Sequence, residues 1–143
     1  MNVGRDPADI EVWGMSFVSV RDSRDEANAD ITAFLASTAG MGLKAPHMRA
    51  LIPADLLPAV EEMERRYDAT QHVVVGGANA KLLEELGLVD FMVGLTAITG
   101  TPAEVETHVD QLEARGISCV LAALPGHSDP HGTLARLSEA VRA

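Results

Sequence analysis

Pro125, Gly126 and His127 stand between an apolar run and a helix that opens at Pro130. The free N–H groups and dipole of a helix start favour an anion, so this loop is a candidate for holding a cofactor phosphate or a substrate carboxylate. The same residue types also simply make a turn. His127, Asp129 and His131 spell H-x-D-x-H. A transition metal needs three or four convergent ligands, and Asp129 beside Pro130 is better explained as a helix cap, so no metal site is assigned. Gly76-Gly77 follows Val73 to Val75 but lacks both the G-x-G-x-x-G and the Walker spacing, which favours helix entry over a phosphate loop. Cys119 lies in an apolar run with no basic neighbour, which suits packing better than nucleophilic attack. His47, His72 and His108 are isolated in sequence. No Ser-His-Asp set or carboxylate pair can be placed.

The elements around the 125–127 loop are well marked. Thr101 is a helix cap with Glu104 in the capping-box position and Pro102 at the first helical residue. Val105, Val109 and Leu112 form one apolar stripe, and Gly116 stands where a left-handed C-terminal residue is wanted. Ile117 to Leu124 is apolar on both faces apart from Ser118, the pattern of a parallel strand covered on both sides. After the loop, Ser128 or Asp129 caps a helix whose buried side is Leu134, Leu137 and Val141. Ile10 to Val20 reads as a second strand of the same kind. Ser23, with Glu26 in the box position, starts a helix with the stripe Ala27, Ile31, Phe34, Leu35 and Thr38, ended by Gly40 and Gly42. Residues 41–53 read as irregular. Asp55 opens a helix with Leu56, Val60, Met63 and Tyr67 inward and the charges from Glu61 to Arg66 on a solvated face. A further helix from Asn79 to about Leu88 turns Leu82, Leu83 and Leu86 inward, and residues 89–100 fit either a helix end or a short strand.

Composition narrows the partners. With 47% hydrophobic and 22% charged residues among 143, the chain can bury a core and reads as one domain. A net charge of −10 repels nucleic acid and anionic membrane, so neither is expected as a partner. One cysteine suits a reducing cytoplasm. Charges interrupt every apolar stretch before transmembrane length, and no signal peptide is read.

Two long runs carry a family resemblance. Residues 98–141, ITGTPAEVETHVDQLEARGISCVLAALPGHSDPHGTLARLSEAV, resemble the C-terminal end of luciferase-like (bacterial luciferase superfamily) oxidoreductases. That end combines a GTPEEV-type helix start, a G(V/I)-x-x-V-x-L strand and a DP-started final helix. Upstream, GRDPADIEVWGMSFVSVRDSRDEANADITAFLAS resembles the family's AGRDP linker, next-to-last barrel strand and following helix. The resemblance implies an α/β chain forming the C-terminal segment of a (β/α)₈ TIM barrel, its last two strands with their helices and a helical insertion. Since such a barrel takes about 250 residues, residues 1–143 are expected to be a single partial domain. The implied function is hydride or oxygen transfer to a small organic substrate with FMN or a deazaflavin coenzyme, undecided between the two. The alternative is a non-catalytic remnant or partner-binding subunit. On this reading most cofactor contacts lie in an N-terminal half, so the chain alone is expected to be inactive and to seek either that half or a second copy. Barrel sites lie at strand C-termini, which keeps Pro125, Gly126 and His127 as the cofactor-binding candidates. The two long strands are expected side by side and parallel, with the helices on one side.

Overall fold

The computed structural model describes residues 4, 6, 9–124 and 129–141. Among them three strands, β1 (Trp13–Val20), β2 (Ala97–Gly100) and β3 (Cys119–Ala123), form one sheet in the order β2-β1-β3, parallel throughout. The α-helices are α1 (Arg24–Met41), α2 (Pro46–Arg49), α3 (Leu57–Arg66), α4 (Ala78–Glu85), α5 (Val89–Thr96), α6 (Pro102–Ala114) and α7 (Pro130–Ala140). None of them is long and apolar enough to cross a membrane.

The expected parallel pairing of the two long strands is present, with Trp13 opposite Cys119 and Phe17 opposite Ala123. The ambiguous stretch before Thr101 resolves into both alternatives, α5 followed by β2, whose four residues are all buried. β2 pairs with the C-terminal half of β1 and β3 with its N-terminal half, so the sheet is staggered.

The helices lie on both faces of this sheet, contrary to the one-sided packing expected. Alternation along β1 sends Phe17 to one face, where it joins Ala97 and a core built on Ile31, Leu35, Val60, Met63, Leu83 and Met92 from α1, α3, α4 and α5. Val18, Val20 and Ile98 point the other way, into a smaller core with Val105 of α6 and Ala140 of α7. The connection from β1 to β2 moves one way across the first face, and that from β2 to β3 moves the opposite way across the second. Both crossovers therefore have the same hand, as parallel connections require.

Coverage is incomplete where β1 meets β3. Helix α1 lies over β1 and β2, leaving the β3 side of the first face bare, with Trp13 61%, Met15 73% and Leu121 55% exposed. The expectation that both strands are covered on both sides fails there, because apolar content on two faces records what a strand can bury and not whether a helix arrives to cover it.

Local signals place most helix ends. Ser23 Oγ accepts the Glu26 N–H at 3.3 Å, and the Glu104 carboxylate accepts the Thr101 N–H at 2.9 Å. Gly116 takes φ +86° and closes α6. Gly77 enters α4 as its N-cap. Other readings change: Leu134 and Val141, expected on the buried side of the last helix, are 47% and 54% exposed, because the sheet face under α7 is only partly covered. Residues 41–53 hold a turn of 3₁₀ helix and the short α2, and Gly40 lies inside the last turn of α1 instead of ending it. A Cβ at Gly40 would run into the Tyr67 ring, so this glycine is a packing site.

Candidate functional site

In an open parallel sheet, ligands bind outside the C-terminal ends of neighbouring strands whose chains leave to opposite faces. Here β1 leads into α1 on one face and β3 leads towards α7 on the other, so the crevice falls between the ends of β1 and β3. Arg21 follows β1 directly, Asp30 lies in the second turn of α1, and Asp129 caps α7.

These three groups meet. Arg21 Nε donates to Asp30 Oδ2 at 2.5 Å and Arg21 Nη1 to Asp129 Oδ2 at 3.2 Å. Ser19 Oγ, on the penultimate residue of β1, donates to the same Asp30 oxygen at 2.8 Å. The guanidinium and the Asp30 carboxylate are 11% and 15% exposed. The hydrogen bond to Asp30 raises the Arg21 pKa, against an opposing effect of burial. Asp129 is held below the usual carboxylate range, first by the Gly132 N–H that it caps at 2.7 Å, then by the charges of Arg21 and Arg136. Arg136 reaches Asp129 at 3.5 Å and Asp22 at 3.6 Å. Among the described residues two guanidiniums thus face three carboxylates. The cluster clamps the start of α7 onto the end of β1, and the first turn of α7 already has its anion in Asp129. An external phosphate there would have to displace that carboxylate.

Pro125, Gly126 and His127, the loop residues singled out from sequence, lie outside the described residues. Asp129 is a helix cap, and His131 is exposed on α7. Cys119 is half-buried, on the same face as Trp13 by register. His108 lies half-buried on α6, its pKa lowered by burial and by the Arg115 charge.

The family model for luciferase-like monooxygenase matches residues 2–119. The chain belongs to the luciferase-like monooxygenase family. In this luciferase-like chain the matched span holds β1, β2 and helices α1 to α6, together with Arg21 and Asp30, and ends at the first residue of β3. Asp129 and α7 lie beyond it. Comparison with the curated proteins and with the solved structures finds no match.

Sequence reasoning passed over the Arg21 cluster and one other. The available signal for the first was a charged residue directly after an apolar strand and an aspartate beside the apolar stripe of α1. The second cluster joins Ser37 on α1, Tyr67 after α3 and His72: Ser37 Oγ to His72 Nδ1 is 2.7 Å, Tyr67 Oη to His72 Nδ1 2.6 Å, and Ser37 Oγ to Tyr67 Oη 3.1 Å. Ser37 is buried. Val73, next to His72, holds φ at +50°, a conformation a β-branched residue rarely adopts. The trio ties the stretch between α3 and α4 to the side of α1. No spacing in the sequence announces it, since two of its members are 30 residues apart.

Proposed function

We propose that this luciferase-like chain is the C-terminal portion of a cytoplasmic oxidoreductase that uses FMN or a deazaflavin coenzyme for hydride or oxygen transfer to a small organic substrate. The observation that supports the reading is the luciferase-like monooxygenase match over residues 2–119, on a parallel sheet whose strand C-termini, the usual ligand side of α/β folds, carry the cluster of Arg21, Asp30 and Asp129. Such a cofactor, when bound, carries the redox chemistry itself, and a protein supplies position and electrostatics. Among the described residues the cluster does not fit a cofactor phosphate: Arg21 is engaged by two carboxylates, and Asp129 takes the Gly132 N–H. No catalytic step is therefore assigned to it. Its role in the proposal is to hold the strand ends and the α7 entrance, with the loop of Pro125, Gly126 and His127 as the candidate contact to the cofactor.

A second reading is favoured by the bare side of the sheet. Trp13, Met15 and Leu121 are exposed together on β1 and β3, and β3 has one edge unpaired among the described residues. Surfaces of this kind seek partners, which supports a subunit completed by an N-terminal barrel half or by a second copy.

The test is titration of the purified chain with FMN and with a deazaflavin, read by cofactor fluorescence, beside sedimentation over a range of protein concentrations. Expected are weak, non-saturating binding at micromolar cofactor and association that increases with concentration. Saturation at micromolar cofactor would overturn the account of the missing contacts. A compact monomer at high concentration would overturn the partner-seeking reading.

A further inference from the structure

We propose that the pocket between α6, α7 and the sheet binds a small apolar amine. On this face the core does not close. Val18, Val20, Ile98, Val105 and Ala140 are fully buried, yet Val109, Leu112, Val120, Ala122 and Leu137 are only half-buried. The five half-buried residues instead line a pocket of about 440 Å³. A cavity of about 150 Å³ admits benzene, and ligand pockets begin at about 300 Å³, so there is room for a fused pair of rings or a chain of comparable bulk. Filling it would take apolar side chains on two helices and one strand out of water at once.

The ligand's polar end follows from the rim. Glu113 of α6 borders the pocket, and among the described residues none of the side chains lining it is cationic. Ser118 Oγ accepts the Val12 N–H at 3.2 Å and keeps its own proton to donate, but it is neutral, so the charge at the described rim is set by Glu113. A carboxylate on the ligand would face Glu113 in a chain of net charge −10, whereas an ammonium would pair with it. The pocket runs along β3, from Ile117 just before the strand to Ala122, and neither Arg21 nor Asp129 lines it. The proposal is thus independent of the redox reading.

The test uses three probes of one shape: 1-naphthylmethylamine, 1-naphthalenemethanol and 1-naphthoate. Each is titrated into the full chain while the methyl resonances of Val109, Leu112 and Leu137 are followed. Expected is saturable binding of the amine, a roughly threefold weaker alcohol, as the modest strength of a rim ion pair implies, and a naphthoate weaker still. Glu113→Gln is expected to remove the preference for amine over alcohol. Ala122→Phe, which fills the pocket from the sheet, is expected to abolish binding of all three. Val109→Phe fills it from α6 and gives the same reading if the first variant fails to fold. Naphthoate binding as tightly as the amine, amine preference surviving Glu113→Gln, binding that survives both fillers, or no saturable shift with any probe would each overturn the proposal.

Discussion

Gly40→Ala sets two physical effects against each other, and the structure decides the sign. Helix propensity alone predicts that alanine inside a helix stabilises by about 1 kcal/mol. At Gly40, however, a Cβ would lie 2.9 Å from Cε2 of Tyr67 and closer still to Cγ and Cδ2. The ring cannot swing away without loss, because its hydroxyl is tied to Ser37 and His72. Overpacking of this kind costs about 1–3 kcal/mol, and each hydrogen bond given up by Tyr67 about 1 more. The net expectation is destabilisation by about 1–3 kcal/mol, which for a chain of this size lowers the melting temperature by roughly 3–10 °C. Gly94→Ala is the matched control. Gly94 is also inside a helix, α5, but its Cβ would meet nothing within 4 Å. There the propensity gain stands alone, and a stabilisation of about 0.5–1 kcal/mol is expected. Thermal and urea unfolding followed by far-ultraviolet circular dichroism measures both. In Gly40→Ala combined with Tyr67→Ala the clash is gone, so the double variant should lose less than the sum of the singles. A Gly40→Ala variant as stable as the parent, or more so, would refute the close approach of Tyr67 to α1.

Other consequences follow from the polar clusters. Asp30→Ala removes the carboxylate that Arg21 holds at 2.5 Å in a mostly buried position, and a loss of about 2 kcal/mol is expected in urea unfolding; a loss below about 0.5 kcal/mol would mean that the pair contributes no more than a surface bridge. Asp129 and Glu104 both have folded pKa values below their ordinary ones, Asp129 through the Gly132 N–H and Glu104 through the Thr101 N–H. Their contribution is complete above the unfolded values of about 4 and is lost as the pH falls through the lower folded values. The urea midpoint should therefore drop as the pH falls below about 4, and Asp129→Asn should flatten part of that drop. Thr133 is fully buried on α7 with no hydrogen-bond partner for its hydroxyl among the described residues. Thr133→Val removes that orphan at similar volume and should stabilise by about 1 kcal/mol in the same assay; destabilisation would show that the hydroxyl is engaged.

Local signals determined much of this protein on their own. Ser23, Thr101, Pro102, Gly116 and Asp129 fix helix ends through contacts within a few residues, so their roles could be read without knowing where the helices go. The apolar runs at Ile10 to Val20 and Ile117 to Leu124 announced two strands, and the structure pairs them in parallel. Family membership was legible in the same way, because it rests on ordered short motifs along the chain. What the sequence could not decide is what meets across distance. Whether a helix covers a strand depends on which way each crossover runs, and α1 runs over β1 and β2, so Trp13, Met15 and Leu121 stay exposed on strands whose composition suits burial. Gly40 read as a helix terminator because the ring it admits comes from Tyr67, 27 residues on. Arg21 and Asp129 are 108 residues apart and meet only because the sheet sets the end of β1 beside the start of α7. Side-chain charge is local to a residue, but its desolvation and its partner are properties of the packed chain, and tertiary structure alone supplies both.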